Sequence, residues 1–265
     1  MKSIIDSNPG GARNRCVLTR GVVLRFRSRT FVVTTFLITA IFLVSAGGVQ
    51  EHSQENTENF DMLVREDFFA GFAGDAQALK RGMKRCAEAL AKDPRNAQAL
   101  VWHGSGMTFE AKEAFLAGDP DKGHQIQAQA IKEMNDAVAL RPDDVSVLIP
   151  RAAVFLSAAL HVPSPEVANR DFQRAASDYE RILHLQTSTF ATLPMHSRGE
   201  LLGGLAEAWQ GLGDPEKSRS YLLRMKKELP NTAYSRHASE ILAAPPKGGS
   251  LGTTCLGCHV GRTRG

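Results

Sequence analysis

Between residues 61 and 243 apolar side chains return every three or four positions, and no stretch sustains the strict alternation of a strand. Ala, Leu, Glu, Lys and Gln, all strong helix formers, dominate these segments. The pattern predicts one helix after another. It is interrupted at Asp93-Pro94, Gly118-Asp119-Pro120, Arg141-Pro142, Pro163-Ser164-Pro165, Gly213-Asp214-Pro215 and Leu229-Pro230. Proline starts a helix well but cannot continue one, and Gly, Asp and Ser favour helix ends, so each interruption predicts a boundary. A last amphipathic segment, residues 233–243, predicts a closing helix. Pro150 falls inside an expected helix and predicts a kink or a delayed start there.

Small and large apolar residues keep a register across these segments. The clearest unit reads Leu205-Ala206, Trp209, Gly213-Asp214, Ser218, Leu222, Met225, Pro230. Small residues fall where two helices would cross closely, large ones fill the groove between them, and a proline ends the second helix. A second unit runs from Asn96-Ala97-Gln98-Ala99-Leu100 through His103-Gly104 to Ala130, Met134, Ala137 and Pro142. A third pairs Leu148, Ala152 and Phe155 with Ala175, Tyr179 and Ile182. A degenerate first unit covers residues 61–94, with Phe69-Ala70, Ala89 and the Asp93-Pro94 stop. These units resemble the tetratricopeptide repeat, a helix–turn–helix of roughly 34 residues. The resemblance implies an all-α fold: an α-solenoid of about four helical hairpins with a capping helix. It also implies a concave face, lined by the first helix of each hairpin, that takes a protein or peptide partner. Gln98, Val101, Arg151 and Glu207 are the expected outward positions on those helices. Ala130 follows Gly104 by 26 positions and Ala175 follows Ala152 by 23, where the repeat expects about 12. The middle units therefore carry longer helices, or loops inserted at residues 112–124 and 161–170.

The two ends of the chain differ from this body. Lys2, Arg13, Arg15, Arg20, Arg25, Arg27 and Arg29 face a single acid, Asp6, and an uncharged apolar run follows at residues 31–46. Ser45-Ala46-Gly47-Gly48 closes it. A basic region, an apolar region and a small-residue exit describe residues 1–49 as a secretory signal peptide, or as a membrane anchor if the run is retained. Residues 50–60 are polar and read as a spacer. Beyond residue 46 there remain 25 Lys and Arg against 27 Asp and Glu, a net of −2. The formal +4 of the whole chain thus belongs to the targeting segment. The body has no basic stripe for a phosphate backbone, which argues against nucleic acid as a partner. The expected location is the periplasm or cell envelope of a bacterium, with membrane association through the N-terminal segment.

Cys255-Leu256-Gly257-Cys258-His259 lies near the other end. Two thiols flanking two residues, with a histidine directly after, form the attachment pattern of c-type haem. Each sulfur can make a thioether to a haem vinyl group, and the His259 imidazole can reach the iron as the proximal ligand. Residues 244–254, rich in Pro and Gly, read as a linker, and 255–265 as a haem-attachment tail. A full c-type cytochrome domain would have several helices around the cofactor; only residues 260–265 follow here. Two other chemistries fit the same residues: a dithiol that closes a small disulfide on oxidation, and a zinc site that borrows further ligands.

No other motif carries chemistry. There is no His-Glu-x-x-His, no Gly-x-Ser-x-Gly and no phosphate-binding loop, so an enzyme is not expected. Cys86, among apolar neighbours, reads as a small buried hydrophobe, and His103 as a hydrogen-bonded packing residue. His124, His161 and His184 read as surface or helix-end residues. His196 and His237 are the candidates for a second axial ligand, ahead of Met195 and Met225. Trp102, Phe155, Tyr179, Trp209 and Tyr221 recur at helical spacing and read as core. The sequence therefore predicts an exported helical scaffold for protein interaction with haem c on Cys255, Cys258 and His259, serving electron transfer to a redox partner or sensing. The alternatives are a structural scaffold with no haem, and a haem protein of peroxidase type.

Overall fold

A computed structural model of the chain describes residues 60–246 and 249–253. Among them the regular structure is helical throughout: α1 Phe60–Phe72, α2 Ala76–Lys92, α3 Ala97–Leu116, α4 Pro120–Leu140, α5 Val145–His161, α6 Pro165–Leu185, α7 Met195–Gly211, α8 Pro215–Glu228 and α9 Ala233–Ala243, with a single 3-10 turn at Phe190–Thr192. All six predicted interruptions fall between helices, and the closing helix has the predicted bounds. None of these helices is long and apolar enough to cross a membrane. The apolar run of residues 31–46 lies outside the described residues, as do Cys255, Cys258 and His259.

Local chemistry sets the boundaries. Asp119, Ser164 and Asp214 each stand before a proline that opens a helix, and their side chains accept from the backbone N–H of Lys122, Val167 and Lys217. Asp75, Asn96 and Asp144 cap α2, α3 and α5 in the same way, and Thr232 with Ser235 forms a capping box on α9. Each such cap contributes about 1 kcal/mol. A Gly-Asp turn recurs at the tip of three hairpins. Gly118 (φ 80°) and Gly213 (φ 77°) take the left-handed conformation that ends one helix, and the next residue caps the following helix. Gly74-Asp75 repeats the device between α1 and α2, a boundary the sequence pattern did not mark.

Consecutive helices pack as pairs, α1 with α2, α3 with α4, α5 with α6 and α7 with α8, while α1, α3, α5 and α7 also touch in succession. The core runs between them: Phe68, Trp102, Met134, Leu148, Phe155, Ile182, Leu202, Leu205 and Met225 are all buried. Small residues mark the close crossings, as the register predicts. Gly104 of α3 lies so near α4 that an added Cβ would stand 2.8 Å from the Ala130 carbonyl oxygen. The long spacings in the middle units are longer helices rather than inserted loops. α3 and α4 have 20 and 21 residues and meet at a turn of three, and residues 162–164 alone separate α5 from α6. Pro150 does not delay α5, which starts at Val145 under its Asp144 cap and continues through the proline.

Candidate functional site at the C-terminal segment

Residues 251–253, the last described before the Cys-x-x-Cys-His motif, are not a free linker. They lie on α7, with α9 alongside, and a buried carboxylate holds them. Glu207 is 1% exposed. Its Oε1 accepts from the Leu251 N–H (2.7 Å), and its Oε2 from the Thr253 N–H (3.2 Å). The Thr253 hydroxyl shares its one proton between Glu207 Oε2 (3.0 Å) and the Gly203 carbonyl (2.8 Å). The turn that aims both N–H groups at one carboxylate passes through Gly252 (φ 68°), whose own N–H goes to Ser250 Oγ (3.0 Å). Leu251 is buried at 5% and Thr253 at 7%. Among the described residues no cation pairs with Glu207. A buried carboxylate without donors is costly, so the segment supplies the partners this side chain needs.

Helix geometry explains the fit. Gly203 and Glu207 are four residues apart and share one face of α7. Any side chain at 203 would collide with the segment, since a Cβ there would stand 2.5 Å from the Thr253 carbonyl oxygen. From α9, His237 Nε2 meets the Leu251 carbonyl at 2.9 Å; a carbonyl only accepts, so Nε2 carries the proton. In that tautomer Nδ1 carries the lone pair.

The same face of α7 carries Glu200 and His196, about one and two turns from Gly203 toward its N-terminus. Tyr234 of α9 lies across Gly199, and its hydroxyl is 2.7 Å from both His196 Nδ1 and Glu200 Oε1. A phenol that donates to Glu200 and accepts from His196 fixes the His196 proton on Nδ1, the tautomer in which Nε2 is the basic nitrogen.

The four positions expected to face outward do not form a solvated peptide-binding surface. Val101 is fully buried. Gln98, 5% exposed, accepts from the Asp61 N–H (2.9 Å) and donates to Ser146 Oγ (2.7 Å), tying α1 to α5 across α3. Arg151 makes a two-pronged ion pair with Asp178 (2.8 and 2.6 Å). Glu207 holds the C-terminal segment. Burial pushes the Asp178 and Asp171 carboxyls up, against the pull of Arg151 and Arg174.

Other singled-out residues behave as packing or surface groups. Cys86 is buried, and burial pushes its thiol far above the usual range, which leaves it an unreactive neutral group. His103 is half-buried and bonded to Glu133 at 2.7 Å. His124 and His184 are exposed, and His161, at the end of α5, meets the Ser157 carbonyl. Met195 is exposed and Met225 buried. Trp102, Phe155 and Tyr179 are core, while Trp209 and Tyr221 are half-buried, Trp209 under the Lys217 ammonium. A shallow depression of about 500 Å³ on α6, lined by Pro165, Glu166, Asn169 and Arg170, brings together no acid–base pair suited to catalysis. No group of three His, Cys, Asp or Glu among the described residues could hold a metal ion.

Sequence reasoning missed the docking of residues 251–253. Two signals pointed to it. Gly203-Gly204 is a glycine pair inside a helix, where glycine costs about 1 kcal/mol each unless something approaches closely. Glu207 is a lone acid within the fully buried run of residues 201–208. Comparison with protein-family models, with curated proteins and with solved structures finds no match for this chain.

Proposed function

We propose that this chain is an exported tetratricopeptide-like scaffold that carries covalent haem on its C-terminal tail, with Cys255 and Cys258 as thioether partners and His259 as proximal ligand. The scaffold is an α-solenoid of four hairpins, α1–α2, α3–α4, α5–α6 and α7–α8, capped by α9. The succession of contacts from α1 to α3 to α5 to α7 supports that arrangement, because stacked first helices are what a solenoid requires. Residues 1–49 export it, by a cleaved signal or a retained anchor, to the periplasm or cell envelope of a bacterium, the compartment side on which haem is attached.

The motif Cys255-Leu256-Gly257-Cys258-His259 carries the haem reading. Two thiols and an imidazole at this spacing are the donor set covalent haem takes. The described residues are compatible with it. Thr253, two residues before the motif, is anchored on α7, so the motif follows directly from a fixed point of the scaffold. The cofactor supplies one-electron redox chemistry. The protein's part is to hold the thiols and imidazole at one end of the scaffold, which leaves the remaining hairpins for a protein or peptide partner, a redox partner among them.

The test is maturation. Exported and expressed with a cytochrome c maturation system, the chain should stay coloured after denaturation, and Cys255→Ala with Cys258→Ala should remove the colour while leaving helix content unchanged. A matured chain of unmodified mass would leave the interaction scaffold without a cofactor.

A further inference from the structure

We propose that Glu207, with Gly203 and His237, is a docking site for the chain's own C-terminal segment, residues 251–253, and that it fixes the point from which the cysteine-and-histidine tail departs. Glu207 is a positioning residue, and its occupant is residues 251–253. The tail's function rests on the haem reading above; the docking itself does not.

Four features make this a built site. The receptor carboxylate is 1% exposed and sits inside α7, about one turn before its C-terminal end. Among the described residues, all its donors come from the segment: two backbone N–H groups and one hydroxyl. The helix opposite Thr253 is a glycine, where a Cβ would stand 2.5 Å from the segment's carbonyl oxygen. A second helix contributes His237, which donates to the Leu251 carbonyl. Recognition is thus of a turn that offers two N–H groups, one carbonyl and one hydroxyl. A methyl at position 203, or the loss of the hydroxyl, should abolish it.

The direction of the segment gives the site its consequence. Leu251 bonds to Glu207, and Thr253 reaches Gly203, one turn closer to the start of α7. Residues 251–253 therefore run antiparallel to α7, with Thr253 on the side of Glu200, Tyr234 and His196. Gly203 and His196 are seven residues apart, about 10 Å along the helix. Six residues of extended chain, the separation of Thr253 from His259, span at most about 20 Å. A tail that departs from a fixed Thr253 therefore starts within chain reach of that polar cluster.

The test uses the full exported chain, without and with haem, and reads hydrogen exchange at the Leu251 and Thr253 amides by nuclear magnetic resonance. Both should exchange at least 100-fold more slowly than in an unstructured peptide. Glu207→Gln keeps the size but turns an N–H₂ toward N–H donors, and it should cost at least tenfold in protection at both positions while the amides of α3 to α6 stay unchanged. Thr253→Val should lose protection and Thr253→Ser should keep it; neither replaces a residue of the helices, so a folding failure in the Glu207 variant would not obscure the answer. Unprotected amides in the wild-type chain, or protection indifferent to Glu207→Gln and Thr253→Val, would overturn the docking site. In the matured chain the Soret maximum or the reduction potential should differ between wild type and Thr253→Val, and identical values would overturn the positioning role. Absence of haem alongside protected amides would refute the haem reading and leave the docking site standing.

Discussion

Glu133 shows how a single polar contact ties two helices and leaves a measurable trace. Burial alone would raise its carboxyl. Hydrogen bonds from His103 and Gln129, with the nearby charges of His103 and Lys132, bring it below the usual glutamate range instead. A carboxyl whose folded pKa lies below the unfolded one stabilises the fold above the unfolded value, about 4.3, and that contribution is lost as pH falls through the folded value. Thermal midpoints measured from pH 6 down to pH 3 should therefore fall more steeply for the wild type than for Glu133→Gln. Parallel curves would show that the His103–Glu133 contact contributes nothing. Asp171 and Asp178 act with the opposite sign: raised by burial, they contribute most at low pH and lose it as pH rises through their folded values. They are common to both proteins, so they cancel in the comparison. Gly104 offers a steric counterpart. Gly104→Ala sets a methyl against the Ala130 carbonyl and should cost about 1–3 kcal/mol in chemical denaturation. A neutral result would mean that α3 and α4 are not in this close contact.

At the scale of elements, helix positions were legible because their punctuation is chemical. Gly-Asp-Pro at residues 118–120 and 213–215 ends one helix, caps the next and opens it, and each device is visible in the sequence. Replacing Asp214 by Ala removes the hydrogen bond to the Lys217 N–H and should cost about 1 kcal/mol of stability. The crossing of α7 and α8 was legible as well: Ala206, predicted to sit at a close contact, is completely buried. Ala206→Leu should lower stability by about 1–3 kcal/mol, whereas Ala139→Leu on the exposed side of α4 should change it by less than about 0.5 kcal/mol. Equal effects would show the register of the last hairpin to be wrong. What periodicity could not reveal is where polar side chains point once hairpins stack. Gln98, Arg151 and Glu207 occupy polar positions on mostly apolar helices, and a sequence pattern assigns such positions to solvent. Their partners, Asp61 and Ser146, Asp178, and residues 251–253, are 27 to 48 residues away. Only the tertiary fold brings them together. The Pro- and Gly-rich stretch before the motif looked like a tether for the same reason, since composition does not record the carboxylate waiting on α7.

For the whole molecule, the proposed export segment, the helical scaffold and the proposed redox tail can each be tested separately. A fusion of residues 1–60 to a reporter that is active only outside the cytoplasm should give signal, and the mature N-terminus found by mass spectrometry should begin near Gly47 if the signal is cleaved, or retain residues 31–46 if it anchors. A silent reporter would remove the compartment that haem attachment requires. Far-ultraviolet circular dichroism of residues 47–265 should be dominated by helix. The most direct measurement is the intact mass and visible spectrum of the exported, matured chain under denaturing conditions. The account predicts the mass of one added haem and a Soret band that survives denaturation and disappears when Cys255 and Cys258 are both replaced by Ala. An unmodified mass with no Soret band would contradict it.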